Sequence, residues 1–151
     1  MVRVMASGVF DILHSGHLHY LEEARRLGDE LVVVVATDAT VRKRKHEPIT
    51  PERMRLELVS ALKPVDRAVL GRDDDMFAVV REICPDIIAL GYDQHFNEAR
   101  LVEELNCRGL KVEVVRLEKH EDDLNGTRKI IGRIIDWYTV NKDQMEKEGK
   151  R

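Results

Sequence analysis

The sequence has little of what marks membrane-bound, secreted or nucleic-acid-binding proteins. No apolar run approaches the ~20 residues that a membrane-spanning helix needs. The formal net charge of -3 argues against general nucleic-acid binding, so any cationic site must be local. The two cysteines, Cys84 and Cys107, lack metal-ligand spacing and are typical of thiols in a reducing compartment. We therefore expect a cytoplasmic protein that binds neither membranes nor nucleic acid.

Short apolar segments rich in valine and isoleucine alternate with segments of helical period, within 151 residues. Buried strands are predicted at Val2–Ala6, Leu31–Ala36, Ala68–Leu70, Ile87–Leu90 and Val112–Val115. Helices are predicted near residues 15–27, 51–62, 75–84, 97–108 and 126–140. This alternation implies an α/β fold with right-handed crossovers: a Rossmann-like, doubly wound, five-stranded parallel sheet with helices on both faces.

The chain shows no internal repeat and no internal domain boundary. We predict a single domain at residues 1–141 and a polar C-terminal tail at 142–151. A capping hydroxyl at Thr50 before Pro51 and the acidic run at 73–75 mark two helix starts. Ligands of such sheets bind beyond the carboxyl ends of the strands. One crevice is therefore predicted, surrounded by the loops at 8–17, 37–50, 91–96 and 116–127.

The segment GVFDILHSGH follows the first strand and opens the first helix. Gly8 allows a sharp turn out of the sheet, and Gly16 lets backbone approach a ligand at the helix start, where N–H groups attract phosphate. His14 and His17 are three residues apart, so both imidazoles can face the crevice and donate hydrogen bonds to phosphate oxygens. Asp11 is placed to fix the loop by accepting backbone N–H groups. The pattern predicts a phosphate-handling site.

Two simpler explanations compete with this interpretation of the histidines. One histidine near a helix start is usually structural, and a pair could be half of a zinc site. A zinc site needs further ligands, which neither a cysteine cluster nor a second close histidine pair provides, so no metal-ligating residue is assigned. A histidine pair bracketed by glycines directly after a first strand favours the phosphate site.

The same segment resembles the signature of the cytidylyltransferase-like nucleotidyltransferases, whose HxGH motif is HSGH at residues 14–17 here. The resemblance implies transfer of a nucleoside monophosphate from a triphosphate to a phosphate-bearing acceptor, with release of pyrophosphate. It implies that His14 and His17 bind the triphosphate and stabilise the transition state at the α-phosphorus. The acceptor would attack in line, with Mg²⁺ or another divalent cation. Further nucleotide contacts in this turn are assigned to Gly8, Val9 and Phe10.

Basic residues beyond this motif also carry the resemblance. The run RKRKH after the second strand matches in position the family's basic loop, which helps to neutralise phosphates. Its candidate phosphate contacts are Lys43, Arg44 and Lys45, and Lys45 is assigned a catalytic role. Arg55 and Lys63 lie where the family commonly has basic residues, although either position also suits an ordinary surface charge.

Two later segments match the family's nucleotide contacts. GYDQ after the fourth strand offers Gly91 for backbone access and the polar groups of Asp93 and Gln94 for a base or sugar, unless it is a plain turn. NGTRK opens the last helix, where the family has a Ser/Thr-rich helix start that holds the β- and γ-phosphates. A serine that the family often has there is replaced by Gly126. The candidate phosphate contacts in this segment are Asn125, Thr127, Arg128 and Lys129.

Two groups within the family resemble the chain most, the glycerol-3-phosphate cytidylyltransferases and the archaeal FAD synthases. The second group is preferred because of the segments PITPER and DIIALGYDQ and the charged loop before Asn125. It implies transfer of AMP from ATP to FMN, whereas the alternative implies CTP and glycerol 3-phosphate; phosphopantetheine adenylyltransferase is a more distant option. Aromatic residues make up only 5% of the chain, and none can be assigned to a flavin.

Two hypotheses come from other classes of protein. A nucleotide-binding protein without turnover would not need both imidazoles, so the intact histidine pair argues against it. A redox-active thiol protein needs an activated cysteine, which neither cysteine position suggests. The resemblance is also compatible with a homodimer, formed through the apolar face of the helix at 97–108 or of the last helix.

Overall fold

The computed structural model describes residues 1–44, 46–73, 75–119 and 126–149. Its strands are β1 (Arg3–Gly8), β2 (Glu30–Val35), β3 (Arg67–Leu70), β4 (Ile87–Leu90) and β5 (Glu113–Arg116). Its helices are α1 (Ser15–Arg26), α2 (Asp38–Arg44), α3 (Glu52–Ser60), α4 (Met76–Ile83), α5 (Glu98–Cys107) and α6 (Thr127–Gly149). The five predicted strands are confirmed, with ends that differ by at most two residues. Their predicted burial was wrong for β3 and β5, which lie at the edges of the sheet and contain no buried residue.

The strand order β3-β2-β1-β4-β5 creates a switch point beside β1, and all neighbouring strands are parallel. From β1 the chain runs outward through β2 to β3, then crosses back and places β4 on the other side of β1. The loops after β1 and β4 therefore diverge towards opposite faces of the sheet. Ligands bind in the crevice at such a point in open α/β sheets. The predicted Rossmann-like, doubly wound parallel sheet is confirmed.

Two apolar layers cover the sheet because successive strand residues point to opposite faces. On one face Val33 packs in a cluster with Leu21 of α1 and Val59 of α3. On the other face Val32 packs in a cluster with Ile83 of α4, and α5 adds Leu105. Central strands that are buried on both faces account for the uninterrupted runs of apolar residues in the sequence.

The basic loop predicted at 37–50 contains a helix, α2, which the sequence pattern did not reveal. Only Val41 of this helix is buried, so the segment lacks the apolar repeat by which a helix is predicted. The helix begins with Asp38 and carries Arg42, Lys43 and Arg44 in its last turn. Both charge positions suit the helix dipole.

The predicted cap at Thr50 was wrong, whereas that at Asp75 is confirmed. Pro51 is the N-cap of α3, and its side chain has no polar atom to accept a hydrogen bond. The Thr50 hydroxyl donates instead to Asp11 Oδ1 at 2.6 Å. Asp75 caps α4 by accepting the N–H of Phe77 at 2.9 Å. Asp74, in the same acidic run, lies outside the described residues.

The last helix, predicted to end near residue 140, continues to Gly149. Neither proline nor glycine interrupts residues 133–148, and the lysine, glutamine, methionine and glutamate residues there favour a helix. Most of the predicted polar tail is therefore helical, and a division of the chain at residue 141 stays a prediction. No helix among the described residues is long and apolar enough to cross a membrane.

Arg55 of α3 is fully buried, and its guanidinium joins four segments around the carboxyl end of the sheet. Its Nη2 forms an ion pair with Asp38 Oδ1 at 2.7 Å. Its other hydrogen bonds go to the carbonyl oxygens of Thr50 (3.0 Å), Val9 (2.8 Å) and Ala36 (2.7 Å). Since these bonds use four of the five guanidinium N–H donors, Arg55 is neither a surface charge nor a ready phosphate ligand.

Replacing this cation with an apolar side chain of similar length tests its contribution to the fold. We expect Arg55→Met to lower the free energy of unfolding by about 3–5 kcal/mol, because it leaves a partly buried carboxylate and three carbonyl oxygens without their partner. The measurement is urea denaturation at neutral pH. Arg53→Met, an exposed position on the same helix, is the matched control and should change stability by less than about 0.5 kcal/mol. Equal stability of the two variants would contradict this role.

Candidate active site

The turn after β1 has an unusual backbone that is held by packing. Phe10 and Ile12 both have left-handed conformations, with φ of 57° and 53°. Non-glycine residues rarely adopt this region, at a cost of roughly 1–3 kcal/mol each. A Cβ at Gly8 would lie only 2.9 Å from the ring of Phe10, which is buried, so glycine is needed where this ring folds back. Sequence and packing together therefore shape the turn that precedes the HxGH motif.

His14 and His17 form a reciprocal cap at the start of α1. His14 Nδ1 accepts the N–H of Gly16 at 3.1 Å, and His17 Nδ1 accepts the N–H of His14 at 3.4 Å. The two rings are stacked, with centroids 3.7 Å apart, and Phe10 supports His17 edge-on at 5.3 Å. A nitrogen that accepts a hydrogen bond carries no proton, so each neutral ring is protonated at Nε2. The cap thus leaves Nε2 as the donor nitrogen of both rings.

Asp11 ties the same turn to the loop before α3. Its carboxylate, 5% exposed, accepts the N–H groups of Ile49 (2.8 Å) and Thr50 (2.9 Å) together with the Thr50 hydroxyl. Burial alone would raise the pKa of Asp11, but these hydrogen bonds and the nearby charge of Arg55 hold it below its ordinary value of 3.8. The expected role of Asp11 as an acceptor of backbone N–H groups is confirmed, and the segment that it fixes is 49–50.

The start of α6 is anchored to this turn as well. The Thr127 hydroxyl donates to the carbonyl oxygen of Asp11 at 2.6 Å. The N-terminal end of α6, with its backbone N–H groups, therefore lies beside the turn that carries the histidines. This contact brings the first and last predicted phosphate-binding segments together.

The loop at 91–96, after β4, forms the other wall of the crevice. Gln94 closes this loop on itself, since its Oε1 accepts the N–H of Gly91 at 2.8 Å. Its Nε2 donates to the carbonyl oxygen of Ser7 at 2.9 Å, next to Gly8. The Gln94 amide is thus engaged within the protein, whereas Asp93 is exposed at the loop tip.

Tyr20 links α1 to the carboxyl ends of the two central strands. Its hydroxyl donates to the carbonyl oxygen of Ala89 at 2.7 Å and accepts the N–H of Ser7 at 3.2 Å. Burial raises the pKa of this hydroxyl, so it stays protonated and available as a donor. The helix that carries the histidines is therefore fixed directly to β1 and β4.

The predicted basic residues fall at different places in the fold. Arg44 and Lys43 are exposed in the last turn of α2, beyond the carboxyl end of β2, and Lys45 lies outside the described residues. Arg42 pairs with Glu47 at 2.8 Å, and this hydrogen bond raises the pKa of Arg42 and lowers that of Glu47.

Lys63 lies at the amino-terminal end of the strands, opposite the crevice. It precedes β3, and the neighbouring Asp66 N–H donates to the carbonyl oxygen of Leu31, near the start of β2. Lys63 is therefore not among the residues gathered at the carboxyl ends of the strands.

The remaining predicted contacts lie around the switch point or follow it in the chain. Gly8, Val9 and Phe10 form the strained turn, Gly91 opens the loop after β4, and Arg128 and Lys129 follow Thr127 in the first turn of α6. Asn125 lies outside the described residues. Across the described residues, no group of three or more His, Cys, Asp or Glu side chains is arranged to hold a metal ion.

Sequence reasoning missed Tyr20, Asp38 and Arg116 as residues that shape the site. Arg116, the last residue of β5, donates to the carbonyl oxygens of Gly91 and Gln94 at 2.8 and 2.6 Å. The available signal was its position, a charge directly after the predicted strand at Val112–Val115. Asp38 offered the same signal, since it lies two residues after the predicted strand at Leu31–Ala36. Tyr20, in the middle of a helix, offered none, because its partners are backbone atoms.

The carboxylate of Asp11 gives a testable dependence of stability on pH. Because folding lowers its pKa, the stabilisation is present above the ordinary value of 3.8 and is lost as the pH falls through the lower folded value. At neutral pH, Asp11→Asn should lose about 1.5–3 kcal/mol of unfolding free energy, the usual contribution of hydrogen bonds to a charged group. Denaturation of both proteins at several pH values should show this difference shrinking in acid. Asp29→Asn, at an exposed carboxylate that accepts the N–H of Val2, is the control; a difference that is constant with pH would contradict the argument.

Comparisons with known proteins agree with this geometry. The family model described as cytidylyltransferase-like matches residues 5–147. The FAD synthase of Aciduliprofundum boonei is 64% identical over 137 residues, which cover 90% of this chain and 92% of that protein. The FAD synthase of Ferroglobus placidus is 51% identical over 152 residues, with 99% of both chains covered.

A solved structure extends the similarity to three dimensions. A crystal structure described as the lipopolysaccharide core biosynthesis protein from Thermoplasma volcanium GSS1 is 57% identical and superposes with a TM-score of 0.79. The superposition covers 80% of this chain and 99% of that one. With the stacked histidine pair at the switch point of a doubly wound sheet, these similarities place the chain in the cytidylyltransferase-like family of nucleotidyltransferases.

Proposed function

We propose that the protein transfers AMP from ATP to FMN, which gives FAD and pyrophosphate. The main structural support for nucleotidyl transfer is the reciprocal cap of His14 and His17. Because the cap uses Nδ1 of both rings as acceptor, Nε2 is the donor nitrogen of each, beside the start of α1. The choice of ATP and FMN is supported by relatives with 51–64% identity that are named FAD synthase. Glycerol-3-phosphate cytidylyltransferase activity is the alternative that the experiment must separate.

The reaction needs no protein nucleophile. A phosphate oxygen of FMN forms a bond to the α-phosphorus of ATP, the bond from that phosphorus to the bridging oxygen of the β-phosphate breaks, and pyrophosphate leaves with the electron pair. Negative charge grows on the bridging oxygen and on the oxygens of the α-phosphate. His14 and His17 donate hydrogen bonds to this charge from Nε2, and the start of α6 together with Arg44 and Lys45 neutralises the β- and γ-phosphates. Val9, Phe10, Gly91 and Asp93 border the nucleoside.

A divalent cation, Mg²⁺ by default, completes the proposal. The described residues offer no cluster of carboxylates and histidines to hold it. Mg²⁺ keeps several waters and binds largely through substrate phosphates in nucleotide sites, so it fits as an ion that arrives with the triphosphate. When bound, it neutralises phosphate charge. A cytoplasmic location is part of the same proposal, since both cysteines are free and exposed.

Four substrate pairs test the function: FMN or glycerol 3-phosphate, each with ATP or CTP. With Mg²⁺, we expect pyrophosphate and FAD from FMN and ATP alone, and removal of the metal with EDTA should stop the reaction. His14→Asn should lower kcat/KM at least about 100-fold, because it removes one donor to the transition state while asparagine keeps the helix cap. His19→Asn, on the same helix, is the control and should leave turnover unchanged.

Each contrary result has a distinct meaning. Turnover with glycerol 3-phosphate and CTP only would move the protein to the cytidylyltransferases. Binding of ATP with no turnover in any pair would support the nucleotide-binding alternative. Wild-type turnover in His14→Asn would remove His14 from the mechanism.

We also propose a homodimer formed through α6. This helix has no buried residue, and six of its apolar side chains form one stripe, at Ile130, Ile131, Ile134, Trp137, Tyr138 and Met145. Apolar residues at such spacings normally face a partner. The first half of α6 carries three basic residues and one acidic residue, and the second half carries three acidic and two basic residues. Antiparallel pairing with a second copy therefore places the more basic half of one helix beside the more acidic half of the other. A second copy is therefore the occupant that the helix fits.

Sedimentation equilibrium tests the dimer. We expect twice the chain mass of 17.4 kDa for the wild type and the monomer mass for Ile134→Glu, which places a charge in the centre of the stripe. Val140→Glu is the matched control, because Val140 is exposed on the same helix but lies outside the stripe. A monomeric wild type, or dissociation by both substitutions, would contradict this interface.

A further inference from the structure

Arg116 holds the whole loop at 91–96 through backbone atoms. Besides the carbonyl oxygens of Gly91 and Gln94, its Nη2 donates to that of Phe96, and its Nε pairs with Glu98 at the start of α5. Four of its five N–H donors are used in this way, so Arg116 acts on the loop and not on phosphate. The hydrogen bond from Arg116 lowers the pKa of Glu98.

The loop that Arg116 holds has an inner and an outer side. Phe96 packs against the apolar cluster on one face of the sheet, and Gln94 reaches the carbonyl oxygen of Ser7 at the end of β1. Tyr92 and Asp93 are exposed at the tip. The loop is thus fixed to β1 on one side and to β5 on the other, with its exposed residues bordering the switch-point crevice.

We propose that Arg116 is a positioning residue for the nucleotide: it fixes the loop at 91–96 in the shape that presents Gly91 and Asp93 to the nucleoside of ATP. This inference rests on the proposed ATP site. The planar guanidinium suits the task because its N–H groups reach three carbonyl oxygens at once, and Glu98 fixes its orientation. A lysine ammonium would retain the charge but lose this fork of donors.

The chain contains a matched control for this arginine at the amino-terminal end of the strands, away from the crevice. Arg3, at the start of β1, pairs with Glu30 at 2.9 Å and donates to the carbonyl oxygen of Ile83 at 2.6 Å. Its side chain is 29% exposed, against 28% for Arg116. Each arginine is a terminal residue of a strand, pairs with a carboxylate and donates to at least one backbone carbonyl oxygen, but only Arg116 borders the crevice.

The experiment compares Arg116→Lys with Arg3→Lys. ATP affinity is measured by calorimetry without FMN, kcat and both KM values by FAD formation, and loop order by hydrogen exchange of the amides at 91–96. We expect Arg116→Lys to raise the Kd and KM for ATP about tenfold, to change kcat and the KM for FMN less than about twofold, and to speed exchange in the loop. Arg3→Lys should leave ATP affinity and loop exchange unchanged. Glu98→Gln, which frees the guanidinium from its ion pair but keeps the carbonyl contacts, should shift ATP affinity in the same direction by less.

Three results overturn the inference: an unchanged Kd for ATP in folded Arg116→Lys, an equal loss of ATP affinity in Arg3→Lys, or a fall in kcat without a change in the KM for ATP. If Arg116→Lys does not fold, Glu98→Gln decides alone, and unchanged ATP affinity in that variant overturns it. If the wild type makes no FAD but binds ATP, and Arg116→Lys alone weakens that binding, the acceptor proposal fails and the positioning role stands.

Discussion

A guanidinium without access to water must find its hydrogen-bond partners inside the protein, and Arg55 finds them on four segments. These are the turn after β1, the end of β2, the start of α2 and the loop before α3. Moving any one of them away would leave a buried charge or carbonyl oxygen unsatisfied, which costs several kcal/mol. The segments around one side of the crevice therefore hold their relative positions. The histidine motif is fixed with them, because it follows the turn that Arg55 bonds at Val9.

This rigidity explains how the turn at 8–14 sustains two left-handed residues. The strain at Phe10 and Ile12 persists only if the surroundings over-determine the conformation. Asp11 supplies that support from the loop at 49–50 and from α6, and Arg55 supplies it through the carbonyl group of Val9. A donor pair that is fixed before the substrate arrives needs no reorganisation as charge develops on phosphate, which is the main advantage of a preorganised site.

The sheet and the histidine motif are predictable from the sequence because each depends on a pattern of neighbouring residues. Valine-rich runs mark strands buried on both faces, and HSGH carries its spacing within four residues. The contacts that hold the site were not predictable, because the partners of Arg55 and Arg116 are carbonyl oxygens, which every residue possesses and no sequence letter distinguishes. The same reason explains Thr50, which follows the rule for a helix cap but donates to a carboxylate 39 positions away. The short α2 escaped prediction because it buries a single residue.

The contacts of Arg116 have a consequence for how such a scaffold diversifies. Its guanidinium donates hydrogen bonds to the carbonyl oxygens of residues 91, 94 and 96 and makes none to the side chains at 92, 93 and 95. Those three positions are exposed, so substitutions there change the chemistry offered to a ligand without altering the path of the chain. Because a residue outside the loop sets its conformation, single substitutions within the loop can change ligand specificity while the protein stays folded. Backbone recognition of this kind separates the evolvability of the binding surface from the integrity of the fold.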